Sequence, residues 1–473
     1  MNSPTQPWVV LKFGGTSVAT AHNWRMIAGV IEKRRKQGKR VLVVHSAVTG
    51  ISNLLEGIAS TTARNDFNDS VKHIMAVHQK LATDLGVDAD TLLAHEYLEL
   101  QELAAGIGLL GEASPKAHAR LMALGELMAT RLGVAFLQRS GIAAQWLDAR
   151  EALISEPARH ATEASHYLSA QVPFDYDTTC VQKLDHYGDV VLTQGFIARN
   201  YKGDTVILGR GGSDTSAAYF GAKLRADVVE IWTDVPGMFT ANPRTIPNAR
   251  LLKALDFDEA QEIASTGAKV LHPRCIAPVK HGQIPMWVMC THQPDLPGTI
   301  ISNDAPKRAQ VKAVSVKKNI SLISMETLGM WQQVGFLADV FACFKQCGLS
   351  IDLVSTSESN VTVTLDPSAN TISDDVLKQL TRELGDWCRV DIRHHVAAVS
   401  VVGRHIREIL PQLAPAFSLL AEHDVYLLTQ AASDLNLSFV VDNEQADALA
   451  EKLHSLAIGH EDDVLGATWL SLQ

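Results

Sequence analysis

The chain has 473 residues, 46% of them hydrophobic and 20% charged, and carries a formal net charge of −10. That length is too great for one ordinary core and predicts about two or three domains, and the apolar content excludes wholesale disorder. The acidic balance argues against a dedicated nucleic-acid binder, whose field should be positive over a broad face, so an anionic ligand would need a locally basic pocket.

In chain order, the apolar run Trp8-Val9-Val10-Leu11 predicts a short buried strand, and Trp24, Ile27, Val30 and Ile31 mark the inner face of a following helix. Between them lies Lys12-Phe13-Gly14-Gly15-Thr16-Ser17. It offers one ammonium, two glycines that let the backbone come close to a polyanion, and two hydroxyls where the first N–H groups of the helix point. The basic run Lys33-Arg34-Arg35-Lys36, with Lys39 and Arg40, reads as a solvated C-terminal turn of that helix. Val41–Val44 is a second buried strand, leading into Ser46-Ala47-Val48-Thr49-Gly50-Ile51-Ser52, and residues 53 to 135 read as a long helical region. Val190–Thr193 and Thr205–Leu208 are further strands. The latter opens into Gly209-Arg210-Gly211-Gly212-Ser213-Asp214 and a helix through Ala217, Ala218, Phe220 and Leu224. Val228–Thr233 is another strand, followed by a turn-rich stretch from Asp234 to Pro247.

Pro294, Pro297-Gly298 and Pro306 punctuate a boundary, beyond which the chain repeats. The first copy runs Ile320–Met325 (strand), Phe336–Gln346 (helix), Leu349–Ser355 and Asn360–Leu365 (strands), Asp374–Leu384 (helix) and Arg389–Arg393 (strand). Phe336, Leu337, Val340, Phe341 and Phe344 line one face of its first helix. The second copy runs Ala397–Val402, Pro415–Glu422, Val425–Thr429, Leu435–Val441 and Glu444–Leu456. The expected fold is therefore α/β: an open, mostly parallel sheet followed by two βαββαβ ferredoxin-like modules. The expected domains are 1–300, a linker at 301–319 with a strand joining the second module, 320–394 and 395–473.

Six cysteines, Cys180, Cys275, Cys290, Cys343, Cys347 and Cys388, show no paired framework and fit free thiols in a reducing cytoplasm. No apolar run reaches ~18 residues, and the N-terminus lacks a charged-then-apolar signal pattern. A cytoplasmic location with neither membrane nor nucleic-acid partner follows as the expectation.

Lys12–Ser17, Ser46–Ser52 and Gly209–Asp214 each follow a buried strand, so an open sheet would gather them at its ligand-binding edge. Glycines, hydroxyls, Lys12 and Arg210 suit a nucleotide phosphate tail, and Asp214 suits Mg²⁺, directly or through water. The chain has no G-x-x-x-x-G-K-[ST] loop, and its first βα turn has no G-x-G-x-x-G.

Six motifs in order, Lys12–Val18, Gly125-Glu126-Leu127-Met128, Gln194-Gly195-Phe196, Gly209–Asp214, Trp232–Gly237 and Gly267–Pro273, span most of the chain. With them the sequence resembles the aspartate kinases of the amino acid kinase family that carry C-terminal tandem ACT modules. That resemblance implies phosphorylation of the β-carboxylate of L-aspartate by MgATP to give 4-phospho-L-aspartate, the entry step to lysine, threonine and methionine. By the same resemblance Lys12 touches the transferring phosphoryl group. Gly15, Ser46 and Ser52 belong near the phosphates and the amino acid, with Ser52 standing where threonine is common. Glu126 belongs near the substrate ammonium. Gly14, Thr16, Ser17, Gly211, Gly212, Ser213, Asp214, Thr233, Asp234, Phe239, Arg244 and Lys269 match the nucleotide side. Phe239 replaces a frequent tyrosine, and Asn242 a frequent aspartate.

One departure stands out. Between Ala149 and Val190 the family's Arg-Thr-x-Asp segment has no clean match, leaving Arg150 and Arg159 as alternative cations for the substrate α-carboxylate. In the first module Met330, Gly335, Phe336, Leu337, Ser350, Ile351, Asp352, Thr356 and Ser357 resemble an amino-acid effector site. Gln332 stands where a histidine contacts lysine in some lysine-sensitive members. The resemblance thus implies lysine or threonine at an interface between modules, feedback inhibition, and a homodimer or higher oligomer. Two alternatives remain open in the residues: a relative acting on acetylglutamate or carbamate, and a catalytically silent amino-acid sensor.

Overall fold

The structure, a computed structural model, describes residues 6–157, 162–268, 270–327, 334–370, 372–422, 424–458 and 464–472. The chain forms two compact units. One comprises Met1–Met238, Lys253–Phe257 and Lys269–Ala305; the other comprises Phe239–Leu252, Asp258–Ala268 and Pro306–Gln473.

In the first unit, β1 (Trp8–Phe13), β2 (Arg40–His45), β3 (Ala144–Leu147) and β4 (Val190–Gln194) enter a sheet, whereas β5 (Ile197–Arg199) and β6 (Thr205–Ile207) pair only with each other. After β7 (Val228–Thr233) comes β8 (Arg250–Leu252), which belongs to the second unit, and then β9 (Ala254–Leu255), β10 (Met286–Cys290) and β11 (Thr299–Ile301). The eight-stranded order is β3-β4-β2-β1-β7-β10-β11-β9, parallel throughout except between β10 and β11. β1 and β2 are apolar on both faces because helices cover both sides of a parallel sheet. The strand expected before Gly209 is β6, so that turn arises from a hairpin rather than from the main sheet.

Residues 51–139 resolve into the helices Ile51–Ala59, Asn68–Leu85, Ala89–Leu92, Ala94–Leu110 and Pro115–Arg139. The last starts at Ser114, whose hydroxyl accepts from the Ala117 N–H, with Pro115 in the first turn. It is long and apolar enough to cross a membrane, yet most of it is buried in the core of this unit. Helix Ala21–Lys36 corrects the reading of its basic end as merely solvated. Arg34 turns inward to Glu230 at 2.7 Å, and the Arg40 guanidinium lies 4.0 Å from the Trp8 ring.

The second unit is built on one antiparallel sheet. Its strands are β12 (Gln310–Glu326), β13 (Val354–Thr356), β14 (Asn360–Leu365), β15 (Arg389–Arg404), β16 (Leu427–Gln430) and β17 (Asn436–Asp442), in the order β13-β14-β12-β15-β17-β16. The two modules read from the sequence are not separate sheets, because β12 and β15 run through both. Ile320–Glu326 pairs with 389–396 and Gln310–Lys317 with 398–404, with register shifts between 317 and 322. Val311, Ala313 and Val314 are buried, which holds that early segment in the sheet. β18 (Leu465–Thr468) pairs instead with β8. Helix Phe336–Gln346 buries Phe336, Val340, Cys343 and Phe344, while Leu337, expected on the same face, is exposed. All six cysteines are free.

Candidate active site

Register places the functional strand ends level. Phe13 pairs with His45 and with Trp232, and Thr233 with Cys290, so β1, β2, β7 and β10 release the chain at one edge. There the Lys12 Nζ lies 2.6 Å from Asp214 Oδ1, both side chains largely shielded from solvent. Asp214 is in the first turn of helix Gly212–Leu224, whose N-cap, Gly211, has φ +65° and no side-chain cap. Such an end suits an anion, since the helix's first N–H groups and its dipole both favour negative charge.

Glycines in these turns are fixed by crowding. A Cβ on Gly15 would sit 2.8 Å from the Ala47 carbonyl oxygen, locking the first turn against the second. A Cβ on Gly195 would sit 2.5 Å from the Ser213 Cβ, and one on Gly211 2.1 Å from the His272 Cγ. These contacts bring Lys12, Gly14, Gly15, Ser46 and the Gly211-Gly212-Ser213-Asp214 turn into one neighbourhood, and Thr233 and Asp234 end a strand on the same edge. Thr16 is exposed, and Ser52 is in the first turn of helix Ile51–Ala59.

Glu126 arrives from the long helix. Its Oε1 accepts from the Ala47 N–H at 3.2 Å, and its buried Oε2 has no hydrogen-bond partner. Burial pushes its carboxyl up to about 8, against a small downward pull from the Ala47 N–H. His45, at the end of β2, is fully buried and held down at about 4 by desolvation, with Nδ1 against the Ser46 carbonyl and its ring edge-on to Trp24. Burial likewise lowers His272, and Arg274 adds to the effect.

Several expected site residues already have partners in the structure, are grouped with the second unit or lie outside the described residues. The Ser17 hydroxyl is buried and bonded to Thr291 Oγ1 at 2.8 Å, so it ties the turn after β1 to the residue that follows β10. Phe239 is buried in the second unit, edge-on to Trp469, and Arg244 also lies in that unit, in a turn whose N–H bonds Asn242. Lys269 and Arg159 lie outside the described residues. Arg150 is already gripped by Asp148 through three contacts of 2.6–3.1 Å and donates to Thr205 Oγ1, which leaves it poorly disposed toward a second carboxylate. Arg210, by contrast, is exposed in the Gly209–Asp214 turn. Thr291, His272 and Thr130 were not singled out from the sequence. Isolated polar residues carry no periodic signal, and only the pairing of distant strands reveals their partners.

In the second unit, Met330 and Gln332 lie outside the described residues. Gly335 caps helix Phe336–Gln346 with φ +94°, while Phe336 itself is core, so it can offer a ligand only its backbone. Ser350 is pinned by Asn370 in both directions. Thr356 and Ser357 are exposed at the β13 end. Ile351 and Asp352 line a cavity of about 400 Å³ with Glu262, Thr429 and Asn436. Lys317 bridges Asp352 and Asp366 at 3.3 Å each, yet burial still raises the Asp352 carboxyl.

The model of the amino acid kinase family matches residues 7–290. Lysine-sensitive aspartokinase 3 of Escherichia coli (strain K12) is 33% identical over 94% of this chain and 98% of its own length. The chloroplastic aspartokinase 3 of Arabidopsis thaliana is 30% identical over 94% and 81% respectively. Among solved structures, E. coli aspartokinase III with aspartate and ADP (R-state) matches with a TM-score of 0.83 and 31% identity, covering 95% of this chain and 99% of that one. The same enzyme with lysine and aspartate (T-state) matches with a TM-score of 0.75.

Proposed function

This chain belongs to the amino acid kinase family and, within it, to the aspartokinases, and we propose that its first unit transfers the γ-phosphoryl group of MgATP to the β-carboxylate of L-aspartate. The observation that carries this reading is the Lys12–Asp214 pair, which joins two turns some 200 residues apart at the N-terminus of a helix. Without nucleotide, Asp214 holds the ammonium in place. With it, phosphate oxygens share that charge, and a fixed ammonium ~4 Å from one contributes about 4 kcal/mol at an effective dielectric near 20. Asp214 would hold Mg²⁺, directly or through water, and the ion would supply charge neutralisation at the phosphates.

The aspartate β-carboxylate is already ionised at neutral pH, so the acceptor needs no general base. The chemical difficulty is repulsion between two anions, which Lys12, the N–H groups at Gly212 and Arg210 counter by charge. Glu126, buried with one oxygen unpartnered, suits the substrate ammonium, which would supply its missing counter-charge. With Arg150 bound to Asp148, Arg210 is the better arginine for the α-carboxylate. ADP release with MgATP and L-aspartate, compared with N-acetylglutamate and carbamate, tests the activity. ATP binding without turnover on any acceptor would support a sensor instead.

The second unit is read as a regulatory pair of ferredoxin-like modules that binds an end-product amino acid, lysine or threonine, and joins subunits of a cytoplasmic homodimer or larger assembly. The cavity beside Asp352 and the lysine-sensitive relative support this reading. An effector then favours a low-activity state by its differential affinity for it. Activity and calorimetry that show no response to lysine, threonine or both would end the regulatory reading.

A further inference from the structure

Glu126 sits one helical turn before Thr130 on Pro115–Arg139, and the Thr130 hydroxyl is wholly enclosed. That oxygen donates toward the Glu126 and Leu127 carbonyls at 2.8 and 3.1 Å, and accepts from Trp146 Nε1 at 3.0 Å and Gln194 Nε2 at 2.9 Å. Gln194 is equally buried, at the end of β4, and its Oε1 accepts from the Ala149 N–H at 2.8 Å. The amide has only one workable orientation. Ala149 can only donate, and the Thr130 hydroxyl has its single hydrogen committed to helix carbonyls, so it must accept. Next in the chain, Gly195 presses against Ser213, the neighbour of Asp214.

One buried amide therefore ties two walls together, the helix carrying Glu126 and the start of the segment after Ala149, and the next residue, Gly195, packs against the turn carrying Asp214. Apolar side chains would fill this space at no polar cost. A fully satisfied network adds a unique register that a hydrocarbon contact lacks. We propose that Gln194 and Thr130 are positioning residues for aspartate recognition, setting Glu126 at its working distance from the phosphate turn. This rests on the aspartate kinase reading. Small displacements of such a group weaken substrate capture out of proportion to their effect on folding.

The test uses the full chain, following ADP formation with each substrate varied in turn, together with thermal midpoints, for wild type, Thr130→Val, Gln194→Leu and Thr130→Ser. Thr130→Val and Gln194→Leu should each raise the KM for aspartate by about tenfold or more while the KM for MgATP stays within about twofold. Thr130→Ser, which keeps the hydroxyl, should restore the aspartate KM to within about threefold of wild type. The valine is isosteric, so Thr130→Val decides the matter even if Gln194→Leu does not fold. Lower midpoints with an unchanged aspartate KM, an equal rise in both KM values, or a serine variant as impaired as valine would overturn the assignment. A wild-type chain forming no ADP with aspartate would instead overturn the activity, and this inference with it.

Discussion

The Ala47 N–H reaches Glu126 Oε1 at 3.2 Å across residues 79 positions apart in sequence, while the carboxylate's other oxygen is buried without a hydrogen-bond partner. The consequence is a pH dependence with a definite sign. Burial holds the folded carboxyl at about 8 against an ordinary 4.5, so between those values the folded chain retains a proton that the unfolded chain has lost. Stability without aspartate should fall as pH rises through that window. Glu126→Gln should remove this slope. In wild type, kcat/KM for aspartate should climb toward pH 8 as the carboxylate forms, while Glu126→Gln stays low and flat. Parallel pH profiles for the two proteins would refute the assignment of this carboxyl to the substrate ammonium.

Lys12→Ala should lower kcat by roughly 10²–10³, the scale of losing one preorganised charge donor. Steady-state assays at saturating MgATP and aspartate measure this directly. Near-wild-type turnover would remove Lys12 from the chemistry.

Acid should destabilise the fold through two histidines, as base does through Glu126. His45 and His78 are buried and held at about 4 by desolvation, each with Nε2 unpartnered. The unfolded chain takes up these protons near pH 6.5, so stability drops as pH falls from 6.5 toward 4. For His78, whose Nδ1 is bonded to the Ile74 carbonyl, the loss between pH 7 and 5 is about 2 kcal/mol. His78→Met should therefore show a smaller drop in unfolding midpoint over that range. An identical drop in both proteins would count against it.

Two glycines with left-handed backbone separate strain from crowding. Gly38 has φ +74° and open space around a would-be Cβ, whereas Gly211 has φ +65° and the His272 ring in that position. Gly38→Ala should cost about 1 kcal/mol with kcat unchanged. Gly211→Ala must also displace His272 beside the phosphate turn, and should lose about tenfold or more in activity as well. Comparable kcat for the two variants would show that the turn tolerates the shift.

What the sequence determined by itself was local and chemical. Runs such as Trp8–Leu11 and Val41–Val44 had to be buried strands, and Lys12-Phe13-Gly14-Gly15 and Gly209–Asp214 carried the residue types a polyanion requires. Periodicity and glycine placement are properties of neighbours in the chain, so they can be read without coordinates. Tertiary structure alone decided which polar groups meet. Ser17 looked like a ligand-facing hydroxyl until the end of β10 brought Thr291 against it, and Arg150 gained a distant partner only when Thr205 came within reach of its guanidinium. It also decided that β12 and β15 would be shared by two modules, and that β6 would leave the main sheet. Partners such as Arg150 and Thr205, 55 residues apart, and Ser17 and Thr291, 274 apart, are selected by register, packing and burial acting together, and no single stretch of sequence encodes that selection.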